Sequence, residues 1–122
     1  MNYVPKQKAM MNKRAVGSRY ERLATAYLLK KGYHILENNF RCPLGEIDII
    51  ARNNEYIVFI EVKYRKTEKY GYPREAVTYY KMRHIIRTAQ FYLATKIGYE
   101  ESCRFDVIEI LDTQITHLEA VF

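Results

Sequence analysis

Acidic side chains stand inside two of the most apolar stretches of this chain. Asp48 interrupts Glu46-Ile47-Asp48-Ile49-Ile50, and Glu61 and Lys63 interrupt Phe59-Ile60-Glu61-Val62-Lys63. Both stretches are rich in Ile, Val, Phe and Tyr and flank Arg52-Asn53-Asn54-Glu55, so they read as the two strands of a β-hairpin. A turn centred between Asn53 and Asn54 sets Asp48 opposite Phe59 and makes Glu61 its diagonal neighbour, with Asp48, Glu61 and Lys63 on one face. Diagonal neighbours lie about 7–8 Å apart at Cα, within reach of two carboxylates converging on one ion. Two bare carboxylates about 4 Å apart repel by about 4 kcal/mol at an effective dielectric of about 20. A divalent cation, a raised pKa or the Lys63 ammonium must compensate, and oxygen ligands favour Mg or Mn over zinc. A cross-strand salt bridge from Lys63 to one acid satisfies the same pattern without a metal. A loop with an odd number of residues would send the two acids to opposite faces.

The elements around this hairpin can be read from periodicity and breakers. From Ser18, residues Tyr20, Leu23, Ala24, Tyr27 and Leu28 share one face of a first helix that stops before Gly32. A short extended piece over residues 34–36 then precedes a turn at Asn38-Asn39, and Pro43 and Gly45 break the chain before the hairpin. Pro73 is placed as the first residue of a second helix, with Val77, Met82, Ile85, Ile86, Ala89 and Leu93 on its apolar face and its end near Gly98. Two last strands, over about residues 104–111 and 115–122, meet at a turn at Asp112-Thr113. The order predicts an α/β fold, a mixed sheet with helices packed against it.

At 122 residues the chain has room for one core; residues 1–15 are expected to form a flexible basic arm and residues 16–122 a single domain. Its 48% hydrophobic and 28% charged residues are those of a globular protein, and no apolar run approaches the roughly 18 residues of a membrane span. The first 17 residues hold no apolar stretch of the kind a secretory signal needs, so the expected location is the cytoplasm. Cys42 and Cys103 are expected to be reduced core residues. The net charge of +6 makes nucleic acid the default partner, although many small proteins are basic without one.

Other residues carry two readings each. The loop of residues 64–74 mixes Arg65, Lys66, Lys69 and Arg74 with Tyr70 and Tyr72, which suits gripping phosphates and stacking on unpaired bases, and equally suits a solvated loop. Glu21 closes a capping box, Ser18-Arg19-Tyr20-Glu21, or faces inward from the edge of the apolar face. Glu46, opposite Glu61 in the expected register, is a further acid for the site or a solvated strand end.

Gly45-Glu46-Ile47-Asp48-Ile49-Ile50-Ala51, followed by Val58-Phe59-Ile60-Glu61-Val62-Lys63-Tyr64-Arg65, resembles the core motif of the YraN-like family of uncharacterised proteins. That family belongs to the PD-(D/E)xK nuclease-like superfamily and is similar to archaeal Holliday junction resolvases. Gly17, Glu21, Ala24, Tyr27, Leu28 and Gly32-Tyr33 resemble its first helix, and Arg104-Phe105-Asp106-Val107 its late strand, so the likeness covers most of the chain after residue 15. The resemblance implies a restriction-endonuclease-like mixed sheet flanked by helices and metal-dependent phosphodiester hydrolysis on DNA, branched or structured DNA in particular. Asp48, Glu61 and the Val62 carbonyl would hold Mg or Mn, Lys63 would polarise the phosphate or activate water, and Glu21 would approach from the helix. Lys81 and Gln90 resemble auxiliary positions of the superfamily, although a basic helix face accounts for them as well. Related resolvases act as dimers, and the twelve tyrosines allow a partner surface, but no self-complementary patch is legible. Two departures stand out: Ile47 takes the place of the superfamily's proline before Asp48, and Tyr20 precedes Glu21 where a small residue is expected, which would crowd the site. The alternative to an enzyme is a non-catalytic nucleic-acid-binding or assembly module that keeps the nuclease fold.

Overall fold

The computed structural model describes residues 6–65, 78–99 and 101–122, with side chains from residue 17 onward. It is an α/β fold in which a five-stranded mixed sheet carries a helix on each face, the architecture of restriction-endonuclease-like proteins. Helix α1 spans Lys6–Lys30, strands β1, β2 and β3 span His34–Cys42, Gly45–Asn53 and Tyr56–Arg65, α2 spans Tyr79–Tyr92, and β4 and β5 span Cys103–Leu111 and Gln114–Leu118. The strands lie in sequence order, all neighbours antiparallel except β3 and β4, which are parallel and joined through α2. A parallel pair needs such a crossover, and the crossover puts α2 on one face.

Because both faces of the sheet are covered, the central strands are apolar on both sides. Ile49, Ala51, Val58 and Ile60 pack with Ala24 and Leu28 of α1, while Ile50, Ile57 and Phe59 pack with Ile85, Ala89 and Tyr92 of α2. This double burial turns the hairpin into near-continuous hydrophobic sequence, against which the acids stand out. On α1, Leu23 is 39% exposed and does not join the expected apolar face. That helix ends in a Schellman motif: Gly32 takes φ +92°, Tyr33 N–H donates to the Leu28 carbonyl at 3.0 Å, and Gly32 N–H donates to that of Leu29 at 3.0 Å.

Several boundaries differ from the sequence reading. Helix α1 already includes Lys6, within the stretch given to a flexible arm, so Ser18 lies inside the helix and no capping box starts there. Asn38 and Asn39 are not a turn but part of β1, whose pairing with β2 slips between Ile35 and Glu37; Asn39 absorbs a positive φ of 54° within the strand. Helix α2 is capped by Thr78, whose hydroxyl accepts from Lys81 N–H at 3.1 Å, rather than opening at Pro73, which lies outside the described residues. Its apolar face includes Thr88 in addition to Ile85 and Ala89, and a π-helical turn, Leu93–Ile97, carries it to a left-handed Gly98. Strand β5 ends at Leu118, short of residue 122. Both cysteines are free thiols, but Cys103 is exposed and Cys42 only half-buried, so neither is a core residue. Among the described residues, no helix is long and apolar enough to cross a membrane.

Candidate active site

The hairpin turn holds two residues, Asn54 and Glu55, between the paired Asn53 and Tyr56, with Asn54 at φ +56°. Asn tolerates that left-handed conformation better than other non-glycine residues. The register therefore pairs Ile50, not Asp48, with Phe59. The ladder closes at Ile49 and Ile60, the residues next to Asp48 and Glu61. The shift from the expected register is an even number of residues, so both acids keep the face that the sequence indicated. There Asp48 Oδ2 accepts the Val62 N–H at 2.8 Å, a bond across the end of the hairpin.

Glu61 collects two cations. Lys63 Nζ lies 3.3 Å and Lys81 Nζ 2.7 Å from its Oε1. Lys63 comes from the same face of β3 two residues on, and Lys81 from the first turn of α2, where that helix lies over the sheet. Burial dominates the electrostatics and pushes the Asp48 carboxyl up to about 7; the Glu61 charge adds to this, the Val62 N–H opposes it, and Glu21 and Glu46 contribute from farther away. Burial also lowers the Lys63 pKa, helped by the neighbouring Lys81. For Lys81 burial is again the largest influence and acts downward, but the Glu61 hydrogen bond, Lys63 and the Asp48 charge together raise it. The two lysines are pushed in opposite directions, Lys63 down and Lys81 up from the ordinary value.

The oxygens fit a hard divalent cation. Asp48 Oδ1 and Glu61 Oε2 have no hydrogen-bond partner among the described residues, and each sits on a half-buried side chain of the same sheet face. Two carboxylates so placed that one holds its proton to about neutral pH are a donor set that a small dication would complete. Val62 meets the pair through its N–H, donated to Asp48.

The other predicted residues are distributed unevenly. Glu21 is half-buried on α1 and lines a recess of about 430 Å³ with Thr25, Asn38 and Asn39, so it acts on Asp48 as a nearby charge. Tyr20 stacks on Tyr64 with centroids 4.2 Å apart and packs against the α1-side core. Glu46 pairs with Arg41 at 3.1 Å, both largely exposed, and is a strand-end ion pair rather than an added acid. Arg65 closes β3, its carbonyl accepting from Asp112 N–H. Gln90 is exposed two and a half turns along α2 from Lys81, in a recess with Leu93 and Tyr99, and does not join the acids. Lys66, Lys69 and Arg74 lie outside the described residues.

A second polar cluster was not singled out in the sequence. Asp106, 2% exposed on β4, accepts from Arg104 Nε and Nη2, both at 2.9 Å, from His117 Nε2 at 2.7 Å and from Ala120 N–H at 3.0 Å. Asp106, His117 and Glu119 place one ligand atom each within 4.8 Å of one another, a set of types that could hold a metal. Its signal was the alternation Arg104-x-Asp106 within an apolar strand, the same anomaly that marked Asp48.

A family model described as uncharacterised protein family UPF0102 matches residues 20–110, which include both acids, both lysines and the strand of Asp106. The chain belongs to the UPF0102 family. This is the YraN-like family of the PD-(D/E)xK nuclease-like superfamily that the hairpin motif resembles. Among curated UPF0102 proteins, that of Lachnoclostridium phytofermentans is 46% identical over 92% of this chain and 96% of its own length. The Clostridium acetobutylicum protein is 52% identical over 83% of this chain and 82% of its own. The Thermodesulfovibrio yellowstonii protein is 48% identical over 88% and 95%. Members of UPF0102 thus match this chain over nearly its full length, and the family's description leaves the activity open.

Proposed function

We propose that this UPF0102 protein is a divalent-metal-dependent phosphodiesterase, an endonuclease acting on DNA of branched or otherwise structured form. The observation that carries the reading is the meeting of Asp48, Glu61, Lys63 and Lys81 at one end of the β2–β3 hairpin, where burial holds Asp48 at about 7. Asp48 Oδ1 and Glu61 Oε2 would hold Mg or Mn. A bound dication of this kind lowers the pKa of water and offsets charge on the phosphate. The chain supplies the rest. Val62 N–H fixes the Asp48 carboxylate; Lys81 orients Glu61 and offers its ammonium toward a phosphate oxygen; Lys63, beside Glu61 on the same face, would polarise the phosphate or activate the attacking water.

The test is cleavage of labelled single-stranded, duplex, flapped and four-way-junction DNA in Mg or Mn, with Asp48→Ala and Lys63→Ala proteins run beside the wild type. Metal-dependent cutting lost in both variants supports the reading. The second reading, a nuclease fold kept as a binding module, draws on one observation: Glu61 Oε1 is already neutralised by two ammonium groups, an arrangement that needs no metal to be stable. A wild type that binds DNA yet cuts it no faster than Asp48→Ala and Lys63→Ala do, in either metal, would favour it.

A further inference from the structure

We propose that the outer face of α2 is a track for single-stranded nucleic acid leading away from the hairpin acids, with Tyr80 as a stacking platform and Arg83 and Arg87 as phosphate holders. It rests on the preceding section for nucleic acid as the partner, and not for hydrolysis. Tyr80, Arg83, His84 and Arg87 fall at the spacing of one helix face and line a shallow recess of about 140 Å³. Lys81, the next residue after Tyr80, turns the other way to Glu61 at 2.7 Å, so the stripe starts one residue from the candidate centre. From Tyr80 to Arg87 it runs about 10 Å at 1.5 Å per residue, the length of about three stacked nucleotides.

The side chains are those of a stacking surface rather than of a solvated helix. Tyr79 and Tyr80 are 70% and 74% exposed, the two most exposed large hydrophobic residues described. Tyr80 is propped by the edge of His84, with centroids 4.5 Å apart, and His84 Nδ1 in turn lies 3.4 Å from the Leu44 carbonyl of the β1–β2 turn. The Arg83 guanidinium lies over Tyr79, 5.9 Å from its centroid. Neither Arg83 nor Arg87 has a carboxylate within ion-pair distance among the described residues. Arginines without acidic partners suit phosphates of any nucleic acid, but an exposed ring held in place finds a stacking partner only on a base that is unpaired. Single-stranded nucleic acid is therefore the occupant that uses both.

The experiment is fluorescence anisotropy of a labelled 15-nucleotide oligo-dT and of a duplex of equal length, with EDTA present so that hydrolysis plays no part. Wild type is compared with Tyr80→Ala, Tyr80→Phe and the double variant Arg83→Ala/Arg87→Ala, each checked for folding by circular dichroism. Tyr80→Ala is expected to weaken single-strand binding about 5- to 100-fold and leave duplex binding unchanged, while Tyr80→Phe stays near wild type. The double variant is expected to reduce the slope of log K against log salt by about 1.4 on the single strand. Unchanged single-strand affinity in Tyr80→Ala, an equal loss on duplex, or no single-strand binding by the wild type would each overturn the proposal. If DNA is never cut but Tyr80 governs single-strand binding, the hydrolytic reading fails and the track stands. If DNA is cut and Tyr80→Ala binds as the wild type does, the track alone fails.

Discussion

Asp48 is a residue whose burial works against the folded state at neutral pH. Its carboxyl is raised from 3.8 to about 7 by burial and by Glu61, so between those values the folded protein binds a proton that the unfolded chain releases. The stabilisation is complete below about pH 4 and is lost as pH rises through about 7, an effect on the order of 4 kcal/mol at most. In EDTA, the Tm of the wild type should fall between pH 5 and 8, and Asp48→Asn should flatten that slope. Mg or Mn should raise the wild-type Tm at pH 8 but not that of the variant, since binding to the folded state alone is what stabilises. A wild-type Tm that is level across this range would contradict the assigned burial. The lysines offer a separate check. Lys81 is one of the causes that hold Lys63 below 10.5, so Lys81→Met should move the Lys63 titration upward when its Nζ is followed by NMR.

At the scale of elements, the β1–β2 turn and α2 meet through one missing side chain. Gly45 sits at φ +149°, and a Cβ there would lie 2.8 Å from Thr88 Oγ1, whose hydroxyl donates to the His84 carbonyl at 2.8 Å inside α2. Gly45→Ala should cost about 1–3 kcal/mol in urea unfolding, and adding Thr88→Ala should return part of the loss while leaving the backbone strain. Such contacts were invisible in the sequence because they depend on how α2 lies across the sheet. What was legible followed from local patterns. The two apolar hairpin strands and the parity that puts Asp48 and Glu61 on one face depend only on period-two alternation and turn length. Family likeness marked Lys81 only as an auxiliary position, and its contact with Glu61 was not legible, since no spacing rule links β3 to α2. Asn38-Asn39 misled because Asn favours turns, yet a slip in the β1–β2 register lets a strand hold Asn39 in a left-handed conformation. The Ser18 box misled because a cap motif in sequence says nothing of helix already formed before it.

The whole molecule is tied together by Asp106, which pairs with Ile60 beside Glu61 but lies on the opposite, α1-facing side of the sheet. Arg104, His117 and Ala120 N–H bind its carboxylate, Tyr33 OH accepts from Arg104 at 2.7 Å, and Lys31 Nζ lies 3.2 Å from His117 Nδ1. An ammonium only donates, so Nδ1 accepts and His117 carries its hydrogen on Nε2, directed at Asp106. The clasp thus joins β4, β5, the end of α1 and the residues after β5. Both Asp106 oxygens are committed, so a cation among Asp106, His117 and Glu119 would have to displace the Arg104 guanidinium, and the cluster reads as structural. Asp106→Ala should cost about 1–3 kcal/mol, because the half-buried Arg104 loses its two bonds to Asp106 and keeps Tyr33 OH and Glu119, 3.7 Å away, as partners. The pH dependence of the clasp is opposite in sign to that of Asp48. Burial opposes ionisation of Asp106, but its His117, Arg104 and backbone hydrogen bonds prevail and hold it below 3.8, so its contribution is present above about pH 4 and is lost on acidification below that. The combined contribution of these two groups is greatest at about pH 4 in the metal-free protein. Excess Mg or Mn competes with the Asp48 proton and should move that maximum upward, toward neutral pH, in calorimetric scans. His117→Ala should lower the whole curve and leave the metal-dependent displacement intact; a displacement lost in His117→Ala but kept in Asp48→Asn would move the metal to the clasp.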